Sequence, residues 1–169
     1  NIFWISRDNL SSLTQIKSTS VNTPWLLSID AVWEGTSMVP SFSDMNDLEY
    51  LFVADDNLSN TWTQIWAPVW YDILSRKWKV SETWDLWTLN LDFDVSSTFF
   101  DIPTLSSWTS YYIVVDSDFD WLLSDETPVW LTNISWTTWR ASGINLSNGS
   151  IFTLASESSW NNIPTNIWL

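Results

Sequence analysis

Over residues 89–95 the apolar side chains Leu89, Leu91, Phe93 and Val95 alternate with Asn90, Asp92 and Asp94. A period of two sends successive side chains to opposite faces, so this stretch predicts a strand with one face in a core and one in water. Runs rich in β-branched and aromatic residues predict further strands at 48–53, 73–80, 111–115, 129–131 and 151–154. Around Trp78 the same alternation puts Arg76, Trp78 and Val80 on one face and Lys77, Lys79 and Ser81 on the other. Asn148-Gly149, between Ile144-Asn145-Leu146 and Ile151-Phe152-Thr153-Leu154, predicts a hairpin turn, because both residues tolerate positive φ. No stretch combines a helical period with caps. Many short strands at close spacing predict an all-β chain, an antiparallel two-sheet β-sandwich of immunoglobulin-like or jelly-roll-like type. Polar residues dominate 156–169, which reads as a linker toward a following domain and leaves 1–155 as the β-sandwich module.

The length of 169 residues fits one domain, and 45% hydrophobic residues suffice to close one core. Twenty acidic residues against six basic ones give a net charge of −14. That field repels nucleic acid and anionic lipid and attracts cations, which argues against nucleic-acid partners. No apolar run approaches the roughly 18 residues of a membrane helix, so membrane insertion is not expected either. The absence of Cys and His removes thiol nucleophiles, Ser-His-Asp triads, thiolate zinc sites and imidazole acid–base chemistry. Carboxylates are the remaining strong chemistry. The lack of Cys excludes a disulfide framework without identifying a redox compartment. A start at Asn1 instead of Met fits a piece of a longer chain.

One count changes the picture. Sixteen Trp stand against three Gly, where ordinary usage of about 7% Gly would place roughly 12 in a chain this long. Trp84, Trp87, Trp108, Trp121, Trp136 and Trp160 lie among Ser, Thr, Asn and Asp, the turn contexts in which Gly supplies positive φ without steric cost. The codon UGA is read as glycine in some bacterial lineages and as tryptophan in others, so the wrong table writes Trp wherever Gly is inserted. Returning about 13 of the 16 to Gly restores about 9–10%, near the ordinary figure. The competing explanation is a Trp-rich carbohydrate-binding surface, which has no need to replace turn glycines. Under the codon explanation Trp78 is buried, whereas Trp84, Trp87 and Trp121 are largely exposed, because a ring written into a turn has no cavity waiting for it.

The segment Asp116-Ser117-Asp118-Phe119-Asp120-Trp121 has the calcium-loop pattern D-x-D-x-D-G with Trp in the glycine slot. Asp116, Asp118 and Asp120 are expected to converge on one point. Asp125 or Glu126 then closes a shell of hard oxygen ligands for Ca2+, with Trp121 at or near positive φ. A solvated acidic turn after a buried strand is the plainer reading. Glu126 stands eleventh in the loop, whereas an EF-hand places its bidentate Glu twelfth, and no helices flank it. Arg76, Glu82 and Asp85 form a second charged group, read as outward charges with one structural pairing and not as catalytic machinery.

The stretch Arg76-Lys77-Trp78-Lys79-Val80-Ser81-Glu82-Thr83-Trp84-Asp85-Leu86-Trp87-Thr88 resembles a bacterial surface-protein family with a pattern like R-E-W-K-V-Q-E-T-G-D-V-G-T-V. Asn1-Ile2-Phe3-Trp4-Ile5-Ser6-Arg7-Asp8 is similar to its I-x-G-I-G-R-D opening, and Ser18-Thr19-Ser20-Val21-Asn22 to the following K-S-x-N segment. Leu51-Phe52-Val53-Ala54-Asp55-Asp56 is similar to its L-x-x-G-D-D strand end, and residues 114–127 to its V-D-x-D-G-D-x-x-D-x-T loop. The resemblance covers about 1–155. In that pattern Trp62, Trp78 and Trp139 match tryptophans, whereas Trp4, Trp66, Trp70, Trp84, Trp87 and Trp121 fall on glycines; the other seven do not align.

The resemblance implies a β-sandwich module that follows laminin-G or concanavalin-like lectin domains in very large secreted or cell-wall proteins. The function expected is a non-catalytic spacer or adhesion element, extracellular or at the cell surface, stapled by Ca2+ through Asp116, Asp118, Asp120, Asp125 and Glu126. Its partners would be neighbouring domains of the same chain and surface glycans or proteins. A carbohydrate-binding module is the first alternative and needs a flat row of exposed aromatics that survives codon correction. A glycoside hydrolase fragment is the second and needs two carboxylates facing each other across a groove.

Overall fold

A computed structural model of the chain describes residues 2–15, 17–19, 27–30, 47–83, 88–96 and 110–157. Among these residues there is no helix. The strands, in chain order, are β1 (Ile2–Asp8), β2 (Leu13–Gln15), β3 (Lys17–Thr19), β4 (Leu27–Asp30), β5 (Glu49–Asp55), β6 (Trp62–Thr63), β7 (Tyr71–Leu74), β8 (Trp78–Glu82), β9 (Leu89–Asp94), β10 (Tyr111–Val115), β11 (Val129–Trp130), β12 (Thr132–Asn133), β13 (Thr138–Ile144) and β14 (Ile151–Glu157). The larger sheet runs β11-β10-β14-β8-β5-β1-β2, with β7 also on β14 and β6 on β7; the smaller runs β12-β13-β9-β4-β3. Every pairing is antiparallel. The fold is therefore an all-β, two-sheet antiparallel sandwich.

Its core is built by alternation. The larger sheet contributes Ile5, Leu51, Val53, Trp78, Val80, Phe152 and Leu154, and the smaller contributes Leu27, Ile29, Leu89, Leu91 and Phe93. Trp78 joins the two. Its ring stacks on Phe152 of its own sheet, with centroids 5.6 Å apart, and meets Phe93 of the opposite sheet edge-on at 5.8 Å. Aromatic pairs in such geometries add about 0.5–1.5 kcal/mol beyond the area they bury. A second, smaller cluster of Ile73, Tyr112, Val114, Ala155 and Leu123 lies on the other face of the larger sheet.

Four sequence expectations change on contact with the fold. The polar side of β9 is not in water: Asn90 and Asp92, like Asp30 beside them on β4, are buried. Arg140 covers Asp92 with a two-pronged ion pair, Nε to Oδ1 at 2.7 Å and Nη2 to Oδ2 at 2.8 Å. The run 73–80 is two strands instead of one. Three steps along β14, from Phe152 to Ala155, match five steps from Trp78 back to Ile73, so the segment 75–77 bulges out of the ladder. The bulge lets the Arg76 side chain turn inward, and the Thr153 hydroxyl lies 3.0 Å from Leu74 O and 2.7 Å from Arg76 O at the break.

The Asn148-Gly149 turn forms, with Gly149 at φ 96° and Ser150 N–H donating to Ser147 O. It does not make a hairpin, because β13 pairs with β9 in one sheet while β14 pairs with β8 and β10 in the other. Buried Leu146 draws the chain across the core between them. Strand β14 also continues past Ala155 to Glu157, which accepts a hydrogen bond from the Tyr112 hydroxyl at 2.7 Å. The remainder of the expected linker, 158–169, lies outside the described residues.

Candidate metal centre

The acidic loop joins two paired strands. Strand β10 enters it at Val115, and β11 returns from it to pair with β10 through Tyr112–Trp130 and Ile113–Val129. At its start the Asp116 N–H donates to Ile151 O of β14 at 2.8 Å. At its middle Leu123 is 1% exposed, seated in the smaller apolar cluster on the outer face of the larger sheet. An apolar side chain in a polar loop thus acts as its anchor. Phe119 reaches back over the Gly149 turn, where a Cβ on that glycine would meet the phenyl ring at ordinary contact distance, 3.8 Å.

Within the loop, carboxylates collect backbone donors. The Trp121 N–H donates to Asp116 Oδ2 at 3.1 Å, the Asp120 N–H to Asp118 Oδ1 at 3.3 Å, and the Leu122 N–H to Asp120 Oδ1 at 2.7 Å. Glu126 closes the circle by accepting from the Ser117 N–H at 2.5 Å and from the Ser117 hydroxyl. Phe119 and Trp121 adopt positive φ, 64° and 73°, as a tight loop requires.

The five predicted ligands form two triplets that share Asp118, instead of the single point expected: Asp116, Asp118 and Glu126 in one, and Asp118, Asp120 and Asp125 in the other. Within each triplet one oxygen per carboxylate lies within 4.8 Å of the others. Two oxygens each about 2.4 Å from a common ion are at most about 4.8 Å apart, so both triplets meet the distance condition for calcium. They differ in burial. Asp118, Asp120 and Asp125 are all exposed, whereas Asp116 is 1% exposed and its Oδ1 is buried with no hydrogen-bond partner. Burying a polar atom without a partner costs about 1–3 kcal/mol, more for a charged group. A cation bound through that oxygen, with Asp118 and Glu126 beside it, would supply the partner it lacks, and the all-oxygen donor set suits a hard divalent ion that tolerates irregular geometry.

The other charged group centres on Arg76. Arg76 is buried, donating through Nε and Nη2 to Leu58 O at 3.0 and 2.7 Å and through Nη1 to Asp55 Oδ2 at 3.2 Å. The expected outward charge is therefore buried: the bulge at 75–77 interrupts the alternation and turns Arg76 inward to Leu58 and Asp55. Glu82 is half-buried on β8, and Asp85 lies outside the described residues.

Two features escaped the sequence. A groove of ≈ 380 Å³ runs beside the loop, lined by Asp55, Asp56, Lys77, Lys79, Ile151 and Trp121, with Lys79 Nζ 4.6 Å above the Trp121 ring. On the smaller sheet a polar hollow of ≈ 300 Å³ is lined by Lys17, Thr19, Ser28, Asp92, Asp94 and Thr138. Burial pushes the neighbouring Asp30 carboxyl above the ordinary aspartate range, with Lys17 and Arg140 opposing the shift. The alternating polar positions of β4 and β9 were its signal; nothing in the spacing revealed that they would be covered.

No curated protein and no solved structure matches the chain. One family model does, over residues 1–150, and the chain therefore belongs to the family described as Domain of unknown function (DUF8202).

Proposed function

We propose that the chain is a non-catalytic structural or adhesion module of a large secreted or cell-surface bacterial protein, stapled by Ca2+ at the loop between β10 and β11. The observation that carries the staple is Asp116: a carboxylate at the end of a core strand, shielded from water, with one oxygen on a backbone N–H and the other without a donor. Asp118 and Glu126 complete the inner triplet, and Asp120 and Asp125 extend it outward. A cation there would tie the start of the loop to its end and offset repulsion among acids in a chain of net charge −14. A site of this kind suits the millimolar calcium of extracellular modules, for which weak loops suffice. The resemblance of residues 76–88 to surface-protein modules supports the same location. Neighbouring domains of the same chain are its first partners, with surface glycans or proteins as the targets of an adhesive role.

The test is thermal unfolding of the chain with calcium and with chelator. A ligand that binds only the folded state at a hundredfold excess over Kd stabilises it by about 2.7 kcal/mol. For a chain of this size that corresponds to a rise in Tm of several degrees, at about 2–4 °C per kcal/mol. Equal midpoints in the two buffers would reduce the loop to a solvated acidic turn and remove the staple from the proposal.

A further inference from the structure

Nine tryptophans lie among the described residues, and three of them, Trp66, Trp70 and Trp121, adopt positive φ, at 66°, 76° and 73°. Only Ser12, Leu48, Asn57 and Phe119 do so among roughly one hundred other described non-glycine residues, in line with the few per cent usual for L side chains. A bulky ring has no intrinsic reason to be enriched in a conformation that crowds its Cβ against the backbone. The three positions have a common cause in turn chemistry.

Ala67 N–H donates to Gln64 O at 3.2 Å, and Tyr71 N–H donates to Pro68 O at 3.1 Å. These bonds close two successive β-turns whose third residues are Trp66 and Trp70, each the one central residue of its turn with positive φ. That is the type II arrangement, which calls for glycine at the third position. The same chain supplies the control: Ser150 N–H donates to Ser147 O across a turn whose third residue, at φ 96°, is Gly149. Trp121 occupies the sixth place of the acidic loop, where a calcium loop turns on glycine.

Packing gives these rings little compensation: the Lys79 ammonium lies over Trp121, but all three rings stay largely in water. Trp66, Trp70 and Trp121 are 57%, 65% and 63% exposed. By contrast Trp62, Trp78 and Trp139 have no positive φ, and each meets another aromatic ring: Tyr111 for Trp62 and Trp139, Phe93 and Phe152 for Trp78. Trp4 lies in β1 without positive φ and stays outside the assignment. We infer that positions 66, 70 and 121 are glycine positions of the functional chain, written as tryptophan because UGA codons were read with the wrong table. The Trp121 wall of the groove over Lys79 is then absent from the functional protein and is no platform for a sugar ring.

The experiment has two readings. The codons at positions 66, 70 and 121 are expected to be UGA, with UGG at 62, 78 and 139. In the full chain, Trp66→Gly, Trp70→Gly and Trp121→Gly are each expected to raise Tm by about 2–4 °C, the shift that relief of one strained residue gives in a domain of this size. Trp139→Gly, made in parallel, is expected to lower it. UGG at the three turn positions, or three turn variants that melt below the parent as Trp139→Gly does, would overturn the inference.

Discussion

The backbone N–H of Trp121 donates to Asp116 Oδ2 at 3.1 Å, while Oδ1 of the same carboxylate is buried without a hydrogen-bond partner. The loop thereby places a half-satisfied charge at the end of a core strand, and the residue that turns the loop around it is a tryptophan in a glycine conformation. Site and strain share one bond.

Asp116→Asn is expected to separate the two energies at Asp116. In chelator the variant should melt at or above the parent, because a buried unpaired charge has been replaced by a neutral isostere. In calcium it should lose the whole stabilisation of about 2.7 kcal/mol that a hundredfold excess confers. Asp120→Asn, which alters only the exposed triplet, should keep most of it. Melting curves of the three proteins in both buffers check this.

Asp30 gives the chain a pH signature. Burial raises its folded pKa above the ordinary 3.8, so between the two values the folded state holds more protons than the unfolded one. This group's contribution to stability therefore falls as pH rises through that window and recovers on acidification. Asp30→Asn should stabilise the neutral-pH protein, and the gain should shrink as pH approaches 3.8. Urea unfolding of parent and variant across that range measures it.

Arg76→Met should destabilise strongly. The Asp55 side chain is fully shielded, and Leu58 O loses two donors at once. Breaking a buried pair from one side costs about 3–5 kcal/mol, and the loss should appear as a lower urea midpoint with an unchanged slope.

Trp78→Ala removes the ring that touches both sheets, and should cost about 3–5 kcal/mol. Trp136→Ala, at a fully exposed position, should change stability by no more than about 0.5 kcal/mol. Chemical unfolding of both variants provides the comparison.

Strand alternation made the sandwich legible because a period of two is imposed by covalent geometry, and Leu89, Leu91 and Phe93 do face the core. The same alternation missed the burial of Asn90 and Asp92, since what covers a polar face is decided by residues distant in sequence, Arg140 among them. The bulge at 75–77 was hidden for a similar reason: Arg76 turns inward to reach Leu58 and Asp55, contacts no local pattern encodes. Asn148-Gly149 specified a turn correctly, but a turn does not say whether the strands it joins share a sheet. In the acidic loop the spacing singled out five carboxylates, and the fold brings them close together in two triplets. The spacing did not divide them into a triplet with buried Asp116 and an exposed one, because burial of Asp116 is set by strands distant in sequence, β14 among them.

Calcium titrated calorimetrically into the chelator-stripped chain, beside Asp116→Asn, tests the calcium staple most directly. The staple predicts saturable binding at millimolar affinity or tighter in the parent, and its loss in the variant. No saturable heat in the parent, or equal binding by both proteins, would contradict it.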